Sequence, residues 1–390
     1  MIGRDEILGG ILEGYDPPGR IAIGVIGSHS ALDIADGAKE EGLPPVLVVA
    51  QRGRHRTYAE YFRQRKKKDG LTKGFIDEVI VLERFGGIIE IQEELRRRNV
   101  IFVPNRSFVV YTGIDRVENE FLVPLFGSRN LLRSEERSEE KSYYWLLERA
   151  GLPYPPEAVK PEEIDDVGLV IVKLPPHAKK RLERGFFTAA SYREFREKAE
   201  RLKKLGVITE EDLARARVER YIIGPPVFNF DFFYSPIDGE IELLGIDWRF
   251  ETSLDGHVRL PAGQQLTLPE HQFEPEYTVC GHASSTLRES LLEKVFDMAE
   301  RYVEATKKYY PPGIIGPPFT LQTAVDKDLN FYIYDVAPPD GRRDEHPHGH
   351  GGAPLRQRPL EEAHEHWKED RPRGKARNRA GRAREGRYVR

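Results

Sequence analysis

Short apolar runs and amphipathic stretches alternate along the first hundred residues of the chain. The apolar, β-branched runs predict four strands, over residues 21–26, 45–50, 76–82 and 100–103. Helical periodicity predicts one helix that ends at about Glu41 and a second over residues 89–98. Strands separated by helices are typical of a parallel, doubly wound α/β sheet.

Two loops that follow predicted strands carry polar side chains. The first covers residues 27–30 and includes His29, and the second covers residues 104–107 and includes Ser107. In doubly wound sheets, ligands bind beyond the carboxyl ends of the strands. A glycine, two hydroxyls and an imidazole before a helix suit a phosphate group or a polar ring. The alternative is that a serine of the first loop only caps the following helix.

The pattern changes after about residue 127, where a charged helix with several aromatic residues is followed by a strand over residues 169–173. That strand ends in Lys173, and a single lysine at a strand end is more often solvated than functional. Further strands are predicted over residues 228–234, 241–246, 258–260, 320–324 and 331–336, a strand or hinge over 217–224, and helices over 194–205 and 287–310. Turns rather than helices join most of these strands, which indicates a largely antiparallel half.

Composition narrows the class of protein. A length of 390 residues predicts two or three domains. Sixty basic against sixty-four acidic residues give a net charge of −4, which excludes a nucleic-acid binder that acts through bulk charge. Cys280 is the single cysteine, so a disulfide framework and a cysteine-cluster zinc site are excluded. With no apolar run of membrane-spanning length and no signal-peptide core, we expect a cytoplasmic protein without a membrane partner.

Six motifs in order resemble those of the archaeal 5-formaminoimidazole-4-carboxamide ribonucleotide synthetase family of purine biosynthesis, within the ATP-grasp superfamily. They lie at residues 26–32, 104–111, 127–133, 242–249, 287–292 and 311–317. The resemblance implies an α/β fold with an N-terminal Rossmann-like, pre-ATP-grasp parallel-sheet domain and mixed or antiparallel α+β ATP-grasp lobes. We place the first domain at residues 1–124, the ATP-grasp domain at 125–338 and an atypical tail at 339–390.

The resemblance also implies a chemistry. Such enzymes join formate to the exocyclic amine of an aminoimidazole carboxamide ribonucleotide. Formate is a poor electrophile, so ATP first converts it to formyl phosphate, and the amine then displaces phosphate. This reaction needs phosphate charge to be neutralised and water to be excluded, with Mg²⁺ or Mn²⁺ as the expected ion. The implied partners are small-molecule substrates and further copies of the chain in a homo-oligomer.

Specific residues acquire roles by the same resemblance. Lys173 would act on the ATP phosphates, and Glu219 and Tyr221 would line the adenine hinge, with Glu251 as a further ATP contact. The nucleotide substrate would contact His29, Ser107 and His282, and Gln322 and Asp335 would hold the ion.

Three of these residues have structural alternatives. Glu219 could be a surface carboxylate beside Arg217 and Arg220. Asp335 could simply sit at a strand end. His282 stands where the family usually has asparagine, and it could be an ordinary loop histidine.

The chain departs from the family pattern in the loop after Lys173. Family members have a glycine-rich phosphate loop there, whereas residues 175–185 keep only Gly185 and carry several basic side chains. Asn105 and Arg106 also replace the usual His-Gly before Ser107. These changes leave two alternative functions open: another ATP-grasp carboxylate–amine ligase, or a non-catalytic nucleotide-binding paralogue.

The tail after about Ala337 differs abruptly in composition. Five of the eleven histidines lie between His346 and His366, and the end is rich in Arg, Gly and Ala. At face value this predicts a metal-binding tract and a basic tail. A shifted reading frame explains more, since residues 343–352 can then decode as G-T-N-I-H-M-G-M-G, and later blocks as P-Y-G-N-A-L and M-S-T-G-R-R, much like the ends of family members.

We expect residues 340–390 to be disordered, because they cannot bury enough apolar surface. Resequencing the coding DNA decides between the two interpretations. We expect an alternative frame that encodes those blocks beyond a slip near Pro338. A single open frame through Arg390, with no such alternative, would restore the metal-tail interpretation.

Overall fold

The computed structural model describes residues 15, 20–28, 30–52, 55–136, 139–156, 160–175, 186–223, 227–268 and 277–337. All of them belong to one compact unit, Met1–Gly352. The tail, His29 and the altered loop at 176–185 lie outside the described residues, and the domain boundaries at 124 and 338 stay predictions. Within this part of the chain, no helix combines the length and apolarity that crossing a bilayer requires.

A parallel sheet forms from the first third of the chain, as the sequence pattern predicts. Its four strands are β1 (Ala22–Ile26), β2 (Pro45–Ala50), β5 (Glu78–Leu82) and β6 (Val100–Phe102). Between β2 and β5, strands β3 (Arg65–Lys66) and β4 (Thr72–Lys73) form a separate small antiparallel hairpin. The order is β5-β2-β1-β6, and all three pairings are parallel. The topological switch point therefore lies between β1 and β6, and the two polar loops extend from those strands.

Helices cover this sheet because their small or apolar residues recur on one face. They are α1 (Ala31–Glu40), α2 (Gln92–Arg97), α3 (Arg106–Thr112) and α4 (Ile114–Asn119). In α1, the buried residues Ala31, Ala35 and Ala38 follow helical spacing. Every residue of β2 is buried, as expected of a central parallel strand.

A small antiparallel sheet in the order β8-β7-β9 comes next and carries Lys173 at the end of its middle strand. Its strands are β7 (Val170–Lys173), β8 (Phe186–Ala189) and β9 (Arg217–Arg220). The helices of this region are α5 (Tyr143–Arg149), α6 (Ile164–Val167), α7 (Tyr192–Lys204) and α8 (Glu210–Ala214).

A five-stranded antiparallel sheet in the order β12-β11-β10-β13-β14 completes the described chain. Its strands are β10 (Phe228–Tyr234), β11 (Ile241–Ser253), β12 (Tyr277–Ser284), β13 (Phe319–Val325) and β14 (Phe331–Ala337). Helices α9 (Leu254–His257), α10 (Ala262–Thr267) and α11 (Leu292–Tyr309) accompany it. One face packs on α11, where Tyr302 and Val295 join Phe230, Phe319 and Leu321 in the largest core. The antiparallel prediction for this half is confirmed.

Several predicted elements have wrong bounds. The strand predicted over 241–246 continues to Ser253, and the helix predicted over 89–98 spans only Gln92–Arg97. Residues 258–260 form a turn rather than a strand, because β11 runs on to Ser253 and α9 follows it at once. The helix predicted over 287–310 starts at Leu292, after a single 3₁₀ turn at Glu289–Leu291.

Candidate functional site

The two loops at the switch point are tied together by side chains. Asn105 caps α3 by accepting from the Phe108 amide at 3.1 Å, and its Nδ2 donates to the Ile26 and Ser28 carbonyls at 3.0 and 2.9 Å. Ser107 Oγ donates to Ser28 Oγ at 2.8 Å. Ser30 occupies the N-cap position of α1 without a capping side-chain hydrogen bond. Capping therefore does not account for the serines of the first loop.

Lys173 is buried, so the interpretation as a solvated lysine is wrong. Its Nζ donates to Tyr144 Oη at 2.6 Å and to the Tyr334 carbonyl at 2.8 Å, and it lies 2.7 Å from Glu219 Oε2. Arg217 Nε donates to the other oxygen, Glu219 Oε1, at 2.7 Å. Glu219 is 0% exposed, so the alternative of a surface carboxylate is also wrong. Its burial is compensated by two cations.

A β-bulge joins the lysine to the five-stranded sheet. Gln322 pairs with Asp335 and Thr323 with Ile333, so Tyr334 is an extra residue on β14. The carbonyl of Tyr334 accepts from Lys173, and it also accepts from Tyr144 Oη at 3.1 Å. Bulges of this kind redirect backbone and side-chain groups next to functional sites. The Lys173 ammonium is thus bound by Tyr334, the residue that precedes Asp335 on β14.

A row of polar residues crosses the face of the five-stranded sheet opposite α11. The directly paired residues, from edge to edge, are Asp335, Gln322, Asn229, Asp247 and Ser284. Their neighbours Leu321, Phe230 and Val336 belong to the apolar core. Since adjacent residues of a strand point to opposite faces, the sheet separates a core from a polar face.

Asp247 contacts two other buried polar side chains of this face. Its Oδ1 accepts from Asn229 Nδ2 at 2.8 Å and lies 2.7 Å from His282 Nδ1. All three side chains are nearly inaccessible. His282 lies within β12, so the alternative of an ordinary loop histidine is wrong. Its Nε2 is buried and has no hydrogen-bond partner.

The remaining candidates lie at strand ends or near a second bulge. Tyr221 follows β9, and its amide donates to the Leu169 carbonyl at 2.9 Å. Glu251 lies on β11 just after a register shift, and its amide donates to the Asp255 carboxylate. The structure thus brings Lys173 and Glu219 into contact and places Asp335 next to Tyr334, which binds Lys173, whereas Tyr221 lies just after β9 and Glu251 lies on β11 of another sheet.

The donor set near Asp335 suits a hard cation. Gln322 Oε1 is buried and has no partner, and Asp335 is the residue opposite. Amide and carboxylate oxygens are ligands that Mg²⁺ accepts. Among the described residues, no group of three or more His, Cys, Asp or Glu side chains is arranged to hold a metal ion. An ion here would therefore depend on amide oxygens, and the residues present fit one.

Sequence reasoning missed Tyr144, Asn229 and Asp247. Tyr144 stands among core aromatics and gives no pattern of its own. Asn229 and Asp231 alternate with Phe228, Phe230 and Phe232 in a strand whose other residues are apolar. Buried polar residues in such a run need partners, and that alternation was an available signal.

Comparisons with known proteins agree with one another. A family model described as "Protein of unknown function (DUF1246)" matches residues 23–158, and one described as "Domain of unknown function (DUF1297)" matches residues 194–342. The 5-formaminoimidazole-4-carboxamide-1-(beta)-D-ribofuranosyl 5'-monophosphate synthetase of Methanopyrus kandleri is 45% identical over 340 residues, covering 86% of this chain and 87% of that protein. Its counterpart from Methanocaldococcus jannaschii is 42% identical, with 86% of each chain covered.

Solved structures give the same result. An IMP biosynthesis protein PurP from Thermococcus kodakaraensis superposes with a TM-score of 0.58 at 29% identity, covering 83% of this chain and 85% of that one. An N5-carboxyaminoimidazole ribonucleotide synthetase in complex with ADP has a TM-score of 0.55, covering 85% and 73%, and at 14% identity it shows the fold alone. The fold is that of the ATP-grasp ligases. The chain belongs to the family of 5-formaminoimidazole-4-carboxamide ribonucleotide synthetases.

Proposed function

We propose that this protein is an ATP- and formate-dependent ligase. It converts 5-aminoimidazole-4-carboxamide ribonucleotide to the 5-formamido product through formyl phosphate, and it releases ADP and phosphate. The observation that carries the proposal is the placement of a buried lysine beside a carboxylate-and-amide row on an ATP-grasp sheet. Membership of a family whose relatives are named 5-formaminoimidazole-4-carboxamide-1-(beta)-D-ribofuranosyl 5'-monophosphate synthetase supports the same reaction.

Lys173 supplies the fixed positive charge. Its ammonium donates to Tyr144 and to the Tyr334 carbonyl, and it forms an ion pair with Glu219. These partners hold the ammonium in place before substrate arrives, which is the preorganisation that transfer of a phosphoryl group requires. One of these contacts is exchanged for a phosphate oxygen when ATP binds.

Gln322 and Asp335 would hold the divalent ion, Mg²⁺ or Mn²⁺. When bound, such an ion neutralises charge on the ATP phosphates. Glu219 and Tyr221, on β9 and just after it, would line the adenine side, and Glu251 would add a contact to ATP. The buried position of Glu219 keeps this segment in register with Lys173 through the ion pair.

The nucleotide substrate would lie against His29 and Ser107 at the switch point, and against His282 on β12. Binding at the carboxyl ends of β1 and β6 follows the general rule for doubly wound sheets. We further propose a cytoplasmic homo-oligomer that binds small molecules and no nucleic acid. Size-exclusion chromatography with light scattering tests the oligomeric state.

One assay tests the reaction. ADP release is measured with ATP, formate and the aminoimidazole nucleotide, and each is omitted in turn. We expect release that requires all three and a product about 28 Da heavier than the nucleotide, because a formyl group replaces one amine hydrogen, a net gain of CO. Release with another carboxylate or another amine acceptor, but not with formate, would identify a different carboxylate–amine ligase. Binding of ATP without any release would identify a non-catalytic paralogue.

Replacing Ser107 by alanine should weaken binding of the nucleotide substrate while ATP binding stays within twofold. One lost hydrogen bond of about 1.4 kcal/mol corresponds to about tenfold in the dissociation constant. Calorimetric titration with each ligand measures both. His29→Ala should act in the same direction.

Ser28→Ala is the matched control, because it removes the same Ser107–Ser28 hydrogen bond but leaves the Ser107 hydroxyl. An equal loss of both ligands in the Ser107 variant would argue against the assignment of this loop. An equal loss of nucleotide affinity in both serine variants would reduce Ser107 to a structural residue.

A further inference from the structure

Asn229 lies beside the residues proposed to hold the ion, and it has an unused oxygen. It is directly opposite Gln322 on β13, and Gln322 is directly opposite Asp335 on β14. Asn229 and Gln322 are each 1% exposed. Asn229 Oδ1 and Gln322 Oε1 are both buried without a hydrogen-bond partner. Two facing acceptors with no donor between them are costly unless a cation or a water lies there.

The orientation of the Asn229 amide is fixed by chemistry. The Asn229 nitrogen, Nδ2, donates to the Asp247 carboxylate oxygen Oδ1 at 2.8 Å, and an amide nitrogen can only donate. The oxygen is therefore the free atom. His282 Nδ1 approaches the same Asp247 oxygen at 2.7 Å, a second contact that holds the carboxylate in place. Asp247 thus decides which end of Asn229 faces Gln322.

Directly opposed residues of an antiparallel pair have Cβ atoms about 4.5–5.5 Å apart. Short and medium amide side chains at that spacing can bring both oxygens to one ion. We propose that Asn229 Oδ1 is a third protein ligand of the divalent cation beside Gln322 and Asp335, and that Asp247 is its positioning residue. This inference rests on the proposed function, since it adds a ligand to the ion that Gln322 and Asp335 would hold.

The charge of this donor set has a consequence. Two amide oxygens and one carboxylate carry a single negative charge, and cation affinity falls with fewer charged ligands. The site therefore binds a divalent ion weakly by itself and much more tightly when nucleotide phosphates complete the coordination. That behaviour couples the arrival of the ion to the arrival of ATP.

Mn²⁺ binding to the full chain tests the proposal without any turnover. Free Mn²⁺ is measured by electron paramagnetic resonance, with and without a non-hydrolysable ATP analogue. We expect the analogue to tighten Mn²⁺ binding at least tenfold in the wild-type protein. Asn229→Ala should weaken binding in the presence of the analogue by about tenfold or more.

Variants of Asp247 separate a ligand role from a packing role. Asp247→Leu removes the acceptor that orients the Asn229 amide, so Mn²⁺ affinity should fall although Asn229 is intact. Exchanging the two residues in Asn229→Asp with Asp247→Asn restores the hydrogen bond and returns an oxygen to the site. This double variant should bind Mn²⁺ at least as tightly as the wild type, because it places a second carboxylate in the donor set.

Thr323→Val is the matched control. Thr323 lies next to Gln322 on β13 and is fully buried. It pairs with Phe228 and donates to the Phe228 carbonyl at 3.1 Å. The Thr323→Val substitution should lower the melting temperature and leave Mn²⁺ affinity unchanged.

Wild-type affinity in Asn229→Ala would overturn the inference and indicate a bridging water, while Gln322→Ala would still lose the ion. Absence of Mn²⁺ binding to the wild type with the analogue would instead overturn the Gln322–Asp335 site itself, and this inference with it.

Discussion

Replacing Lys173 by methionine is expected to lower ATP turnover by about 10³-fold, as loss of one preorganised donor does at a charged transition state. It should also lower the free energy of unfolding by about 3 kcal/mol. The second effect arises because Glu219, which is 0% exposed, loses the cation at its Oε2. Arg217 still pairs with Oε1 and limits the loss. Initial rates of ADP release and urea unfolding measure the two effects.

The control is a double variant that combines Lys173→Met with Glu219→Gln. With both charges removed, the double variant should be at least as stable as Lys173→Met alone, because no buried carboxylate is left half-paired. Its turnover should stay as low as that of the single variant. Turnover that returns with stability would show that Lys173 acts only through the fold. Full turnover in Lys173→Met would remove this residue from the phosphate site.

The pattern of hydrophobic and polar residues was sufficient to predict the strands of the parallel sheet and most strands of the antiparallel half. β2 and β10 occupy the predicted residues, since continuous apolar runs between turn residues leave few alternatives. β12 was missed because Tyr277–Ser284 mixes small, polar and glycine residues, and only its pairing with β11 makes it a strand. Tertiary contacts determine such a segment, and local propensity does not.

The site was predictable one residue at a time but not as an arrangement. Lys173 and Asp335 stand out because a charge ends or interrupts an apolar run. Their connection depends on the extra residue Tyr334, which a sequence cannot show to be a bulge. Glu219 reads as a surface carboxylate between two arginines, and only the pairing of β7 with β9 buries it. The pairing and register of strands that are distant in the sequence therefore decide these contacts.

Two motifs that carry the family resemblance serve packing in this structure. In the segment 127–133, Ser128 Oγ donates to the Gly313 carbonyl and Asn130 Nδ2 to the Pro311 carbonyl at 3.2 Å. Gly316 has a φ of +92°, and a Cβ there would lie 2.8 Å from the Gly127 amide nitrogen. The segments 127–133 and 311–317 thus hold each other, and their resemblance to family members reflects the fold as much as the chemistry.

Arg129, in the first of these segments, should therefore matter for stability and not for the reaction. Its guanidinium donates to the carbonyls of Val117, Phe121 and Val123, at and beyond the end of α4. Burial lowers the pKa of Arg129 to about 10, and the nearby Glu118 opposes this shift, so the side chain stays charged at neutral pH. Arg129→Met leaves those carbonyls without their donor, and we expect a loss of about 3 kcal/mol in the free energy of unfolding.

The matched control is Arg133→Met in the same segment. Arg133 pairs with Asp115, Glu118 and Glu139, which are between 20% and 82% exposed, so its loss should cost no more than about 1 kcal/mol. Urea unfolding of both variants measures the difference, and ADP release is assayed well below their melting temperatures. Turnover should remain within about threefold of the wild type in both, because neither guanidinium contacts the polar row or Lys173.

Equal losses of stability in the two variants would show that the carbonyls near the end of α4 do not depend on Arg129. A loss of turnover in folded Arg129→Met would instead give this motif a part in the chemistry.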